Sequence, residues 1–256
     1  MNIVKLFSSC IPVKGYQRSF IYDLQRPTES NAIPNDLYEI LTNSQSKTIE
    51  EICAEYGHAY DDTIIGYFNF LLDNEFAYDF QKHEVDNFPP INMIWKSPSV
   101  VTNSIIFMPN NKLCNARNIF LQLSDLQCDA IQVCLIGNTS TENIRYIGEQ
   151  LNDLRILSAE ILLNNSEKID TSTIMEIISQ YPRIQYVGIG DTCAINETYD
   201  KTLHAFSSPI DFNNGCGKIS SEYFTVNIEC FTESQHHNTC LNRKVCIDAE
   251  GNIKNC

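Results

Sequence analysis

The chain has 256 residues, enough for one large domain or two ordinary ones. Its 43% hydrophobic and 20% charged residues describe a globular chain, not a disordered one. A formal net charge of −14 argues against nucleic acid as a partner, because phosphates demand a basic face. No apolar run is long enough to span a membrane.

The first segment opens as a strand pair, Ile3–Phe7 and Ser19–Leu24, around a turn-rich stretch with Pro12 and Gly15. Three helical patterns follow. Leu37, Ile40 and Leu41 form the first face. Thr48-Ile-Glu-Glu51 is a capping box that opens the second, with Ile49, Ile52 and Cys53 inward. Asp61 and Asp62 are candidate caps for the third, whose stripe is Ile64, Ile65, Phe68, Leu71 and Leu72. A strand at Phe76–Phe80 completes a winged-helix pattern over residues 1–87. Residues 1–86 hold six Lys/Arg against fourteen Asp/Glu, a net −8, which suits a DNA reader poorly. An acidic winged helix with a free hairpin edge suits the addition of a peptide strand instead. The same pattern also fits a helical cap packed on the next domain.

Phe88-Pro-Pro90 marks a boundary. Over residues 91–229 strands and helices alternate. The expected strands are Ser104–Met108, Ala130–Ile136, Glu160–Leu163 and Tyr186–Ile189. The expected helices are Ala116–Leu126, Thr141–Leu154 and Thr173–Ser179. Helix positions Ile119, Phe120, Leu123 and Leu126 face inward, as do Ile144, Ile147, Leu151 and Leu154. This is an α/β pattern with a parallel sheet whose strands read as apolar on both faces. Lacking a glycine-rich phosphate loop, it looks more like a partial βα barrel than a nucleotide fold. Beyond Gly190, Gly215-Cys216-Gly217 reads as a turn and Phe224–Ile228 as a strand.

Eleven cysteines, an odd number, stand singly until the tail, and the opening apolar stretch is too short for a signal peptide. Free thiols in a reducing cytosol follow from that distribution. Cys10, Cys53, Cys193 and Cys230 are isolated, and Cys128 and Cys134 read as core thiols. The tail is different. Cys240, Cys246 and Cys256 follow a C-x5-C-x9-C spacing around a hairpin-like Asp248-Ala-Glu-Gly251 turn. They are the candidate metal ligands. A [4Fe–4S] cluster takes four thiolates, so Cys216, Cys230 or a residue beyond Cys256 would have to complete it. With His237 the same cysteines would instead make a Cys3His zinc site. An empty tail is the third option, and His236-His237 read as solvated loop residues.

Gly251-x4-Cys256 within this tail resembles the opening of a SPASM domain. Further stretches extend the likeness: Cys10-Ile-Pro-Val-Lys-Gly-Tyr-Gln-Arg-Ser, Ile33-Pro-Asn-Asp-Leu-Tyr-Glu-Ile-Leu, Cys216-Gly-Lys-Ile-Ser-Ser-Glu-Tyr-Phe and Phe231-Thr-Glu-Ser-Gln-His-His-Asn-Thr-Cys. Together they resemble the SPASM-domain peptide maturases of grasp-with-spasm systems. The resemblance implies a PqqD-like peptide-binding domain at 1–87, a partial barrel of radical S-adenosylmethionine type at 91–229, and the start of a SPASM domain at 230–256. The family's dense run of further cysteines would lie beyond Cys256. The resemblance also implies a ribosomally made precursor peptide and an ATP-grasp ligase as partners. The family's C-x3-C-x2-C motif falls on Cys114, Asn118 and Leu121, so only the first thiolate is present. No radical cluster and no S-adenosylmethionine are expected. An accessory role in peptide maturation is therefore expected, the alternative being an iron–sulfur-dependent peptide-modifying redox enzyme that uses the tail.

Overall fold

In a computed structural model of the protein, residues 2–164, 170–192, 197–199, 202–212 and 226–255 are described. The chain divides into two compact units, Met1–Trp95 with Ile219–Thr239, and Lys96–Lys218 with Cys240–Cys256.

The first unit contains β1 (Asn2–Leu6), β2 (Cys10–Val13), β3 (Ser19–Asp23), β4 (Asn31–Ile33), α1 (Asn35–Asn43), α2 (Ile49–Glu55), α3 (Asp61–Asp73) and β5 (Ala77–Gln81). The expected pairing of Ile3–Phe7 with Ser19–Leu24 does not occur. Instead β1 runs antiparallel to β5, from Asn2↔Gln81 to Leu6↔Ala77. β3 lies between β2 and β4. A tight turn, in which Cys10 N–H donates to Phe7 O at 2.9 Å, swings the chain out of the first sheet into the second. One apolar cluster joins Ile21, Ile33, Leu37, Ile40, Ile52, Ile64, Phe68, Leu71 and Phe76.

The capping box forms as expected: Thr48 Oγ1 accepts from Glu51 N–H at 3.1 Å, and the Glu51 carboxylate accepts from Thr48 N–H at 2.8 Å. For α3 the cap position is Tyr60, and Asp61 and Asp62 lie in the first turn, where carboxylates oppose the helix dipole. Ile65 is exposed, because the buried stripe runs through Ile64, Phe68 and Leu71, one residue away.

The second unit contains β6 (Asn103–Pro109), α4 (Ala116–Asp125), β7 (Ala130–Ile136), α5 (Thr141–Leu151), β8 (Ser158–Asn164), α6 (Thr171–Gln180), β9 (Ile184–Gly190), β10 (Glu197–Tyr199) and β11 (Leu203–Ala205). After α7 (Ile228–Ser234), which belongs to the first unit, it ends with β12 (Lys244–Ile247) and β13 (Ile253–Lys254). These strands make one sheet in the order β10-β11-β9-β8-β7-β6-β12-β13. β6 to β9 are mutually parallel, β11 joins β9 in parallel, and only the two outermost strands run the other way.

Side chains alternate across a strand, so the buried set tells which face the helices cover. Ile106, Met108, Ile131, Val133, Leu135, Ile161, Leu163, Val187 and Ile189 pack in one cluster with Phe120, Leu123, Ile144, Ile147, Leu151, Ile174 and Ile177 of α4, α5 and α6. All three crossover helices therefore share one face. The expectation of strands apolar on both faces holds only in part: the opposite face carries Ile105, Phe107, Cys134 and Leu162 but also Asn103, Gln132, Glu160 and Tyr186, and Glu160 is exposed. Leu126 and Leu154 lie just outside their helices. Leu126 is exposed at the end of α4, and Leu154 is buried beyond α5. Ile228 opens α7 instead of closing a strand, since the Asn227 side chain caps that helix by accepting from Cys230 N–H at 2.7 Å. The expected turn at Gly215–Gly217 and the residues Phe224 and Thr225 lie outside the described residues.

Gly148 sits inside α5 under the ring of Tyr181, which is buried. A β-carbon there would come within 2.6 Å of the Tyr181 ring. Gly-to-Ala in a helix interior normally stabilises by about 1 kcal/mol. Here overpacking of roughly 1–3 kcal/mol opposes it. Gly148→Ala is expected to lower the urea midpoint, and Gly148→Ala combined with Tyr181→Leu to recover part of the loss.

Candidate functional site

The tail forms the hairpin that its Asp248–Gly251 turn foretells, with Ile247 opposite Ile253 and Cys246 opposite Lys254. Asp248 holds the turn. Its carboxylate accepts from Asn252 N–H at 2.8 Å, from Glu250 N–H at 3.1 Å and from the Asn252 amide at 3.1 Å, and it pairs with Lys254 Nζ at 2.9 Å. Gly251 takes the left-handed backbone at φ +98° that the turn requires. The hairpin is not free-standing. β12 runs parallel to β6, from Lys244↔Asn103 to Ile247↔Ile106. Arg243 reaches Ser97 O at 2.8 Å and Ser99 O at 2.9 Å. Lys112 donates to Ala249 O at 2.8 Å.

This anchoring separates the candidate ligands. Cys246 is 3% exposed, on the sheet face opposite the helices, whereas Cys240 is exposed in the turn before β12. Cys256 and Cys216 lie outside the described residues, as does Cys193. His236 and His237 are exposed. Among the described residues no group of three or more His, Cys, Asp or Glu is placed to hold a metal ion. Those residues by themselves do not fit a [4Fe–4S] cluster or a Cys3His zinc site. Cys114 is exposed in a single-turn helix, Asn110–Asn115, directly after β6, and Asn118 and Leu121 are exposed on α4.

Cys128 and Cys134 are both buried, as expected of core thiols, but on different faces. Cys128 precedes β7 and lies in the helix-side core, and Cys134 faces the other way. Burial first, then the neighbouring Cys246 and Glu160, push the Cys134 thiol up to about 12. Burial likewise pushes Cys128 to about 11, and burial followed by the Asp23 carboxylate pushes Cys10 to about 11. Thiols so far above neutrality are poor nucleophiles. On the same face as Cys134, Gln132 donates to Glu160 at 2.8 Å and fixes that carboxylate. The Phe212 ring meets Phe107 there edge-on at 6.5 Å. The odd placement of Gln132 and Glu160 in otherwise apolar strands was the available signal for this polar pair.

A cavity of about 400 Å³ lies within the first unit. Val4, Leu6, Ile11, Pro12, Leu41 and Met93 line it, with Tyr78 and Phe88. Among the described residues β1 pairs only with β5, and β2 only with β3, so each offers an unpaired edge. The two are successive strands that diverge from one turn, and both border the cavity. Tyr78 stacks against Phe7 at 4.9 Å, Phe80 at 5.1 Å and Phe88 at 4.8 Å, and Lys5 Nζ donates to Phe88 O at 3.0 Å. The Tyr78 hydroxyl is buried without a hydrogen-bond partner among the described residues, and burial pushes its pKa up. An apolar groove with strand edges and one unspent hydroxyl can take an extended chain. The sequence pointed to the edge of a hairpin between Ile3–Phe7 and Ser19–Leu24, which does not form; the edges here belong to β1 paired with β5 and to β2 paired with β3, and Phe88 to Met93 help to wall the groove. In comparisons with protein-family models, with characterised proteins and with solved structures, no match was found for this chain.

Hydrogen bonds to Asp248, from Lys254 first and then from Asn252, hold its carboxyl well below the usual carboxylate range. A depressed folded pKa means that its stabilisation of the hairpin is complete above the unfolded value, near about 4, and is lost as pH falls below it. Amide protection factors at Glu250 and Asn252 are expected to hold from neutral pH down to about pH 4 and to fall progressively below it. In Asp248→Ala they are expected to be low throughout.

Proposed function

We propose that the protein takes part in the maturation of a ribosomally synthesised peptide, as an accessory that captures and presents the precursor beside an ATP-grasp ligase. In this reading the first unit is a winged-helix, PqqD-like capture domain, and the large sheet is a partial βα barrel of radical S-adenosylmethionine type that has lost the radical chemistry. The observation that carries it is the groove of about 400 Å³ bordered by the unpaired edges of β1 and β2. An extended peptide gains affinity from main-chain hydrogen bonds to such edges and specificity from pockets for alternate side chains. Crossover helices confined to one sheet face agree with a barrel-like curl, because a doubly wound sheet carries helices on both faces. The accessory role rests on Cys114 standing without companion thiolates at 118 and 121, and on buried cysteines whose thiols resist ionisation.

Linear peptides selected from a displayed library with the full chain as bait supply the test. Bound peptides are expected to slow amide exchange in residues 3–6 or 10–13. Ile11→Arg and Leu41→Arg, which put a charge into the groove wall, are each expected to weaken binding at least about tenfold, equivalent to about 1.4 kcal/mol, with the far-ultraviolet circular dichroism unchanged. Peptides that bind both variants as well as the parent chain would overturn the capture role.

A further inference from the structure

A smaller cavity in the first unit, about 210 Å³, opens between α1 and α3. Three tyrosines border it, Tyr56, Tyr60 and Tyr67, together with two carboxylates, Asp36 and Glu39. Tyr56 and Tyr60 are 46% and 62% exposed, so burial in the core does not account for these rings.

The backbone holds the rings in place. Tyr56 ends α2, and the chain then turns through Gly57 and His58 at φ +62° and +57°. His58 N–H donates to Cys53 O and Gly57 N–H to Ala54 O, each at 3.0 Å, which is the double hydrogen bond of a Schellman turn. A left-handed histidine is uncommon and costs backbone energy. The His58 ring offsets that cost by meeting Asp61 Oδ2 at 3.1 Å in the first turn of α3. The result is that Tyr56, at the end of one helix, and Tyr60, at the start of the next, stand beside the same opening.

The charge of the opening is one-sided. Lys14 engages Glu39 Oε1 at 3.3 Å, whereas Asp36 makes no ion pair or side-chain hydrogen bond with the described residues. The surrounding segment, residues 1–86, carries a net −8. Aromatic faces attract cations, and a guanidinium both stacks on rings and forks onto a carboxylate.

We infer that this cavity is an aromatic cage for the arginine side chain of a peptide. Tyr56, Tyr60 and Tyr67 supply ring faces, and Asp36 supplies the free carboxylate. The inference rests on the peptide-capture reading only in that the cation is carried by a peptide. It names a contact outside the apolar groove, one that recognises charge and not backbone.

The test uses the full chain with fluorine-labelled tyrosine and the acetylated pentapeptide Gly-Gly-Arg-Gly-Gly amide. Its citrulline counterpart, neutral and nearly isosteric, is the control. The arginine peptide is expected to shift the Tyr56, Tyr60 and Tyr67 resonances, and the citrulline peptide to leave them in place. Tyr60→Ala and Asp36→Asn are each expected to weaken binding several-fold, and Tyr60→Phe, which keeps a ring face, to retain it. Ile11→Arg is expected to leave this binding intact, so failure of the groove and failure of the cage are told apart. Equal shifts from the citrulline peptide, no shift from either peptide, or binding unchanged in both Tyr60→Ala and Asp36→Asn would each overturn the inference.

Discussion

Three crossover helices landing on one face of a parallel sheet set the terms for the second unit. A parallel strand cannot be reached by a tight turn, so each βα unit must carry a helix back across the sheet. With α4, α5 and α6 all on one side, that side becomes the dry core. The other side is released from being uniformly apolar. It accommodates the hydrogen-bonded Gln132–Glu160 pair, and it receives Cys246 when β12 joins the edge. The same division decides thiol chemistry. Cys128 is sealed beneath helices, while Cys134 is sealed by neighbours on the opposite face, and both are far from ionisation.

Local patterns in the sequence translated well into elements, because helix and strand periods are properties of short segments. The capping box at Thr48 and Glu51, the strand at 130–136 and the hairpin around Asp248 all depend on residues within a few positions of one another. What local patterns cannot carry is the identity of a distant partner. Nothing near Ile3 specifies that it will lie opposite Phe80, and nothing near Val245 specifies Ser104. The tail therefore reads in sequence as a ligand-bearing hairpin, and its second role as a sheet strand becomes visible only in three dimensions. Cavities are subject to the same limit. The groove draws on residues from 4 to 93, and the tyrosine-bordered cavity on two helices and the turn preceding the second.

The first unit carries two cavities of different chemistry, one walled mainly by apolar side chains and one bordered by tyrosines and carboxylates. Its apolar cluster shares Ile40 and Phe68 with the groove lining and packs against Tyr67 at the smaller cavity, while Tyr56 and Tyr60 lie outside it. The Asp23 carboxylate is almost fully buried, it accepts from the backbone of Gln25 and Arg26 and from the Arg26 guanidinium, and Arg26 in turn reaches Glu75. That network joins the end of β3 to the start of β5 and is structural.

The pairing of β12 with β6 also has a history in time. Asn103 and its partner Lys244 are 141 residues apart, so β6 is synthesised long before its edge can be covered. At typical elongation rates the interval is on the order of ten seconds. Throughout it, an apolar strand with Ile105, Ile106 and Phe107 presents open hydrogen-bonding groups on one side, a template for pairing with another chain. The nascent protein thus carries an aggregation hazard at the edge that the tail later occupies, and loss of the final strands would make that exposure permanent.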